Sequence, residues 1–374
     1  MDKGDVCSPV VECLSSLKSI QSDYARFKLE NPVKRVFDPI SELYWTYYEG
    51  APVKKPKKAD VSFEELPCVV FLHGICGTAG CYFYVIEKLS EAGVRCISAQ
   101  YPEYYSPDEW IAGLLHFFEY LKLSKPLVFA SDLGGYLLQL FVEKYPESIC
   151  SMALCNSYRR TDCFSSSPYF RGIYGKLYTM LPHMVLRNIF VESYICPQTN
   201  RHPGEKLPMG EQLAREFMAS ELNQLTACDL GSRISLQMST DYVDDFCSRR
   251  MPPNKILLIE TNNNNIPDEL TEDILEAYQD AKIAHMKDGG DFPYLTKPEE
   301  IVTYLMVHLT NMRTLQSSNN ITEAPDQSGG CSSLRDIYKF NVPRRGSESS
   351  HCSVIPAQPS WECDDDTSPS LSDS

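Results

Sequence analysis

The segment Ala130-Ser131-Asp132-Leu133-Gly134-Gly135 follows the apolar run Leu127-Val128-Phe129 and has the form small-x-nucleophile-x-small. A strand that turns at once into a helix tolerates only small side chains beside the turn, so Ala130 and Gly134 put Asp132 at the nucleophile position. Ser131 falls one residue early and points away from the cleft. A second segment, His73-Gly74-Ile75-Cys76-Gly77, follows another buried strand and reads as an oxyanion loop. Its backbone N–H groups face Asp132, with His73, Gly74 and Leu133 as the cleft residues of this part of the site. A carboxylate nucleophile needs no activation to form an ester, but hydrolysing that ester requires a base near neutral pKa, in practice an imidazole.

Those two turns need a scaffold. Short apolar strands alternate with longer amphipathic helices from Cys68 onward: Cys68–Leu72, Val94–Ser98, Leu127–Phe129, Ser151–Cys155, Lys255–Ile259 and Ala281–His285 are the strands. Tyr82–Ala92, Asp108–Leu121, Gly134–Lys144, Leu270–Gln279 and Pro298–Met312 are the helices between and after them. Trp110, Leu114, Phe117 and Phe118 share one helical face. Val33–Phe37 and Leu43–Tyr48 add strands ahead of this series. The pattern predicts an α/β fold with a mostly parallel central sheet, buried on both faces by helices, and a site at the carboxyl ends of its strands. The alternation is interrupted over about 156–254 by a stretch rich in aromatics, Met and Pro, read as an inserted helical lid. Residues 1–25 are expected to form a short helix or loose arm, 26–312 the α/β domain, and 313–374, rich in Ser, Pro, Asn and Gly, a disordered tail.

The formal net charge of −15 argues against a nucleic-acid partner and against direct docking on anionic lipid. No run of about 18 apolar residues suggests a membrane span, and no apolar segment follows Met1 closely enough for a secretory signal, which points to the cytosol. The 15 cysteines lack CxxC or zinc-site spacing, and those in apolar stretches (Cys68, Cys96, Cys150, Cys155) read as small reduced core residues. Neither a metal nor a cofactor is expected.

The segments Ile97-Ser98-Ala99-Gln100-Tyr101-Pro102, Leu154-Cys155-Asn156-Ser157 and Gly289-Gly290-Asp291-Phe292-Pro293-Tyr294-Leu295 make the chain resemble the maspardin family, a non-classical branch of the α/β-hydrolase superfamily, from about Tyr24 to Met312. The resemblance implies an α/β-hydrolase fold and assigns the remaining positions of a catalytic triad. Active hydrolases of the superfamily carry a histidine between the glycine and Phe-Pro, where this chain has Asp291. The acid position, four residues before Pro267, falls on Asn263 within a run of four asparagines. Members of the family mostly keep a serine at the elbow and an acid after the penultimate strand, so Asp132 and Asn263 depart further from the pattern.

With Asp132, Asn263 and Asp291 at the nucleophile, acid and histidine positions, no catalytic residue is expected and the chain reads as a binding or adaptor protein for a protein partner. The competing reading is an epoxide- or haloalkane-type hydrolase with Asp132 as nucleophile and a displaced base, His73 or His285. The resemblance further implies a role in receptor regulation or endosomal and trans-Golgi sorting, with membrane association only peripheral and through partners. The lid stripe Tyr174, Leu177, Tyr178 and Leu181 is either core packing or a contact surface, packing being favoured.

Overall fold

The computed structural model describes residues 9–52, 68–164, 177–178, 180–197, 207–245 and 247–322. The eight expected strands all form: β1 Lys34–Phe37, β2 Tyr44–Gly50, β3 Val69–Leu72, β4 Cys96–Gln100, β5 Leu127–Ser131, β6 Ser151–Ser157, β7 Ile256–Thr261 and β8 Lys282–Met286. They make one sheet in the order β1-β2-β4-β3-β5-β6-β7-β8. β1 and β2 pair antiparallel, as do β2 and β4, and every later pair is parallel, with Val69 opposite Leu127 and Leu127 opposite Ser151.

Every residue of β3, β5, β6 and β7 is buried. Their continuous apolar runs follow from that: a parallel strand covered by helices on both faces has no solvent side to fill with polar residues. The edge strand β8 has one such side and leaves Ile283 and His285 exposed.

The described α-helices are α1 Pro9–Glu30, α2 Phe83–Glu91, α3 Pro107–Tyr120, α4 Asp132–Lys144, α5 His183–Phe190, α6 Met209–Glu221, α7 Ala227–Gln237, α8 Cys247–Arg250, α9 Asp268–Ala277, α10 Pro293–Thr296 and α11 Pro298–Thr322. In α3, Ser106 caps the first turn by accepting from the Glu109 N–H, Pro107 opens the helix, and Trp110, Leu114, Phe117 and Phe118 are all buried.

Two expected boundaries shift. Of the two expected forms of the N-terminal segment, helix or loose arm, the helix forms, and as α1 it runs through position 25 to Glu30, with Tyr24 and Phe27, three residues apart on one face, buried in the core. Helix α11 continues ten residues past Met312 to Thr322. The remainder of the expected tail, 323–374, and the loop 53–67 lie outside the described residues. Between β6 and β7 the chain forms α5 to α8 together with a π-helical turn, Val191–Ile195. The insertion begins after Ser157, because Asn156 and Ser157 complete β6.

Candidate functional site

At the end of β5 the backbone turns at Asp132 with φ +49°, and α4 starts from the same residue. The neighbouring glycines are sterically required. A Cβ on Gly134 would lie 2.5 Å from the His73 carbonyl oxygen, and one on Gly135 would lie 2.2 Å from Ser157 Oγ. A Cβ on Gly74 would lie 2.7 Å from Asp132 Oδ2. The oxyanion loop thus closes directly over the elbow, as its spacing predicts. Ser131 is buried, and its hydroxyl lies 2.7 Å from the Tyr82 hydroxyl, which itself donates to the Leu72 carbonyl. That arrangement commits the Ser131 proton to Tyr82.

Asp132 does not stand free in the cleft. Its Oδ2 accepts from the Ile75 N–H at 2.8 Å. A donor that would stabilise a developing oxyanion in an acyl-transfer enzyme here holds the side chain of the elbow residue itself. Burial raises the Asp132 carboxyl above the ordinary carboxylate range, and the Ile75 N–H, the Leu133 N–H and the Tyr158 hydroxyl oppose the rise.

The loop is fixed from behind by the lid. Helix α7 starts from a reciprocal cap: Thr226 Oγ1 accepts from the Asp229 N–H, and the Asp229 carboxylate accepts from the Thr226 N–H. One turn apart on that helix, Arg233 and Gln237 face the site. The buried Arg233 guanidinium donates through Nη1 to the Ile75 carbonyl at 3.0 Å and the Gly77 carbonyl at 2.8 Å. Gln237 accepts from the Tyr194 hydroxyl at 2.6 Å and donates to the Tyr158 hydroxyl at 3.3 Å. A chain of hydrogen bonds therefore runs from the π-helical turn of the lid through Gln237 to Tyr158.

Asp291, at the histidine position, is held from two sides. Arg215 Nη2 donates to its Oδ2 at 3.1 Å, with side-chain exposures of 7% and 12% for the two partners. The Asn265 N–H donates to Oδ1 at 2.7 Å, and the Asn265 side-chain amide to Oδ2. Burial pushes the Asp291 carboxyl up to about 6. Arg215 pulls it down, and repulsion from Asp132 is the smallest of the causes. The acid position needs correction: Asn263 is exposed in a turn after β7, and Asn265, two residues on, reaches Asp291. The run of asparagines forms a turn at 262–263 before it re-enters the site, and counting back from Pro267 cannot register that turn.

The displaced bases are not brought to the cleft. His73 is buried, stacks on Tyr101 at 4.3 Å between ring centroids, and donates from Nδ1–H to the Gly74 carbonyl at 2.8 Å, while His285 lies on the outer edge strand. Burial lowers the His73 imidazole well below its ordinary value. No described histidine lines the cleft, whose volume is about 120 Å³ and whose walls include Asp132, Asn156, Tyr194, Asn265, Asp291 and Phe292. Among the described residues no group of three or more His, Cys, Asp or Glu side chains could hold a metal ion.

The Ile75 N–H faces Asp132 as the oxyanion-loop reading expects, whereas three residues of the site were not assigned to it from the sequence. Arg215 and Arg233 act on partners far away in the chain. Asn156, with φ +43°, donates to Thr261 Oγ1 and the Gly290 carbonyl and accepts from the Thr261 N–H, tying β6, β7 and the loop of Asp291 together.

Strand order, elbow and oxyanion loop together define an α/β-hydrolase fold. Solved structures agree. A thermophilic esterase from Thermogutta terrifontis superposes with a TM-score of 0.56 at 14% identity, covering 75% of this chain and 98% of that one. A hydrolase from Pseudomonas aeruginosa does so with 0.56 at 13%, covering 74% and 98%. In sequence the chain is similar to maspardins. It is 28% identical to maspardin of Danio rerio over 302 residues, 78% of this chain and 86% of the relative, and 28% identical to the Homo sapiens protein over 295 residues, 78% and 87%. No family model matches the chain.

Proposed function

We propose that this chain is a non-catalytic, maspardin-like binding or adaptor protein. One observation carries the reading: a carboxylate stands where turnover needs an imidazole, and Arg215 and Asn265 occupy it. A hydrolytic second step requires a group that takes a proton from water near pH 7. Asp291 is bound to three donors and serves instead to join lid helix α6 to the loops after β7 and β8.

The ligand of such a scaffold is a protein. The lid carries the contact surface, since Leu177, Met180, Met184 and Val185 are exposed there, while Tyr178 and Leu181 of the expected stripe pack against the core. Tyr174 of that stripe lies outside the described residues. No described helix is long and apolar enough to cross a membrane. We assign the protein to the cytosol, with peripheral association to endosomal or trans-Golgi membranes through its partners, in protein sorting or receptor regulation.

The test joins two measurements on the full chain. Incubation with a panel of short-chain esters should release no product above the buffer rate, and a pull-down from cytosol should recover a defined protein at fixed stoichiometry. Multiple-turnover hydrolysis lost in Asp132→Asn would overturn the reading. So would capture that survives in residues 313–374 alone, because the α/β unit would then have no role in it.

A further inference from the structure

The outer edge of β1 is open, and the direction of its peptide groups follows from the ladder on its inner side. β1 lies at one end of the sheet and pairs with β2 alone among the described strands. In that antiparallel register Lys34 stands opposite Tyr47 and Val36 opposite Trp45, and the Asp38 N–H then donates to the Leu43 carbonyl at 2.8 Å. Hydrogen-bonded and non-hydrogen-bonded pairs alternate along such a ladder, so Lys34, Val36 and Asp38 turn their peptide groups toward β2. Arg35 and Phe37 turn theirs outward, and among the described residues no backbone group is paired with them. Both side chains are exposed, on the face of the strand opposite buried Val36. The surroundings are apolar: Val33, Phe37, Ile40, Leu43 and Tyr44 are exposed by 39% to 54%, and the Phe37 and Tyr44 rings meet edge to face at 5.5 Å. A strand edge of this kind is a template for one more strand. Pro32 and Pro39 bracket it, and Pro39 has no N–H to give, so the added ladder is short.

We propose that this edge pairs with the same edge of a second copy of the chain, antiparallel about a two-fold axis at Val36. The register selects the occupant. The two residues with outward peptide groups lie on either side of Val36, so Arg35 of one copy falls opposite Phe37 of the other, and the two exchange N–H···O=C bonds in both directions. The axis repeats the pair on its other side. Side chains match as well, because each guanidinium lies beside a phenyl ring and no like charges face one another. A foreign strand would need its own cation and aromatic in this order, which a second copy already carries. Since the symmetric contact consumes the edge on both copies, assembly stops at two chains. The pairing uses neither the cleft nor the lid and so stands apart from the adaptor reading.

The experiment is sedimentation velocity of the full-length protein over a wide concentration range, with near-ultraviolet circular dichroism as the check on folding. A reversible shift from one chain to two is expected as concentration rises. Phe37→Lys sets a cation opposite Arg35 on both sides of the axis and should raise the dissociation constant at least about tenfold. Adding Arg35→Glu to it makes the facing charges opposite and should restore the dimer. Ile283→Lys, on the exposed β8 edge at the far end of the sheet, should leave the dimer intact. A monomer at every concentration, a dimer indifferent to Phe37→Lys, or one lost in Ile283→Lys would overturn the pairing at β1. Failure of the double variant to restore the dimer would overturn the two-fold register.

Discussion

At the scale of single residues the site is a set of buried charges, each held in place by groups distant in sequence. Arg215 and Asp291 form the clearest pair. Removing the guanidinium leaves a carboxylate that is buried and without its counter-charge, a change that costs about 3 kcal/mol in comparable pairs, whereas removing both charges costs much less. Arg215→Met is therefore expected to lower the free energy of unfolding in denaturant titration by that amount, and Asp291→Asn added to it to recover most of the loss. Equal destabilisation in single and double variants would show that Arg215 acts by packing alone. Glu260, at the end of β7, is buried with neither oxygen paired, and burial pushes its carboxyl up to about 8. The unfolded chain releases that proton near pH 4.5 and the native state keeps it until about pH 8. The native form therefore binds more protons across this window, and stability falls as pH rises through it. Glu260→Gln should raise the melting temperature by several degrees at pH 8 and by little at pH 4.5; the same shift at both values would refute the assignment. Of these residues, only Asp132 and Asp291 could be read in advance, because a tight turn and a Gly-Asp-Phe-Pro segment constrain their neighbours. The four consecutive asparagines carry no such constraint, which is why the contact falls on Asn265 and not on Asn263.

At the scale of elements, the strands were legible because burial on both faces demands uninterrupted apolar runs, and helices α2, α3, α4 and α9 because one apolar stripe repeats at helical spacing. Helix α1 was legible only as one of two alternatives, helix or loose arm, since its mixed sequence hides how much of it is needed. Tyr24 on that helix donates to Glu221 of lid helix α6 at 3.2 Å, and Thr78 of the oxyanion loop donates to the same carboxylate at 2.7 Å. Gly80 makes this possible, because a Cβ there would lie 2.0 Å from the Tyr24 hydroxyl. Three elements from different parts of the chain thus meet at one buried acid, and the N-terminal helix fastens the lid to the loop that bonds Asp132. Tyr24→Phe removes one of the donors to Glu221 and keeps the ring. A loss of about 1–2 kcal/mol follows from one lost hydrogen bond to a buried carboxylate that keeps Thr78 and Gln224, together with faster limited proteolysis of the lid. An unchanged cleavage rate would mean that α1 packs beside the lid without restraining it.

At the scale of the molecule, the question is which surface a partner could use. The elbow cleft is small and its most reactive group is already hydrogen-bonded, so a protein cannot be gripped there. The lid offers Met180 at 79% and Met184 at 74% exposure beside Leu177 and Val185, whereas Leu186 and Phe190 of the same lid helix α5 are buried. Unbranched, polarisable methionines adapt to varied partner shapes, which suits them to a binding surface. Since these side chains contribute little to the core, replacing them should leave folding nearly unchanged, within about 0.5 kcal/mol for exposed positions. Met180→Lys combined with Met184→Lys is expected to abolish partner retention in a pull-down while the melting temperature stays constant. Tyr120→Lys, a change at another exposed large side chain at the end of α3, should retain the partner. Retention by the double variant would remove the lid from the interface, and loss in Tyr120→Lys as well would mean that the acidic chain binds by charge balance across its whole surface rather than through one apolar patch.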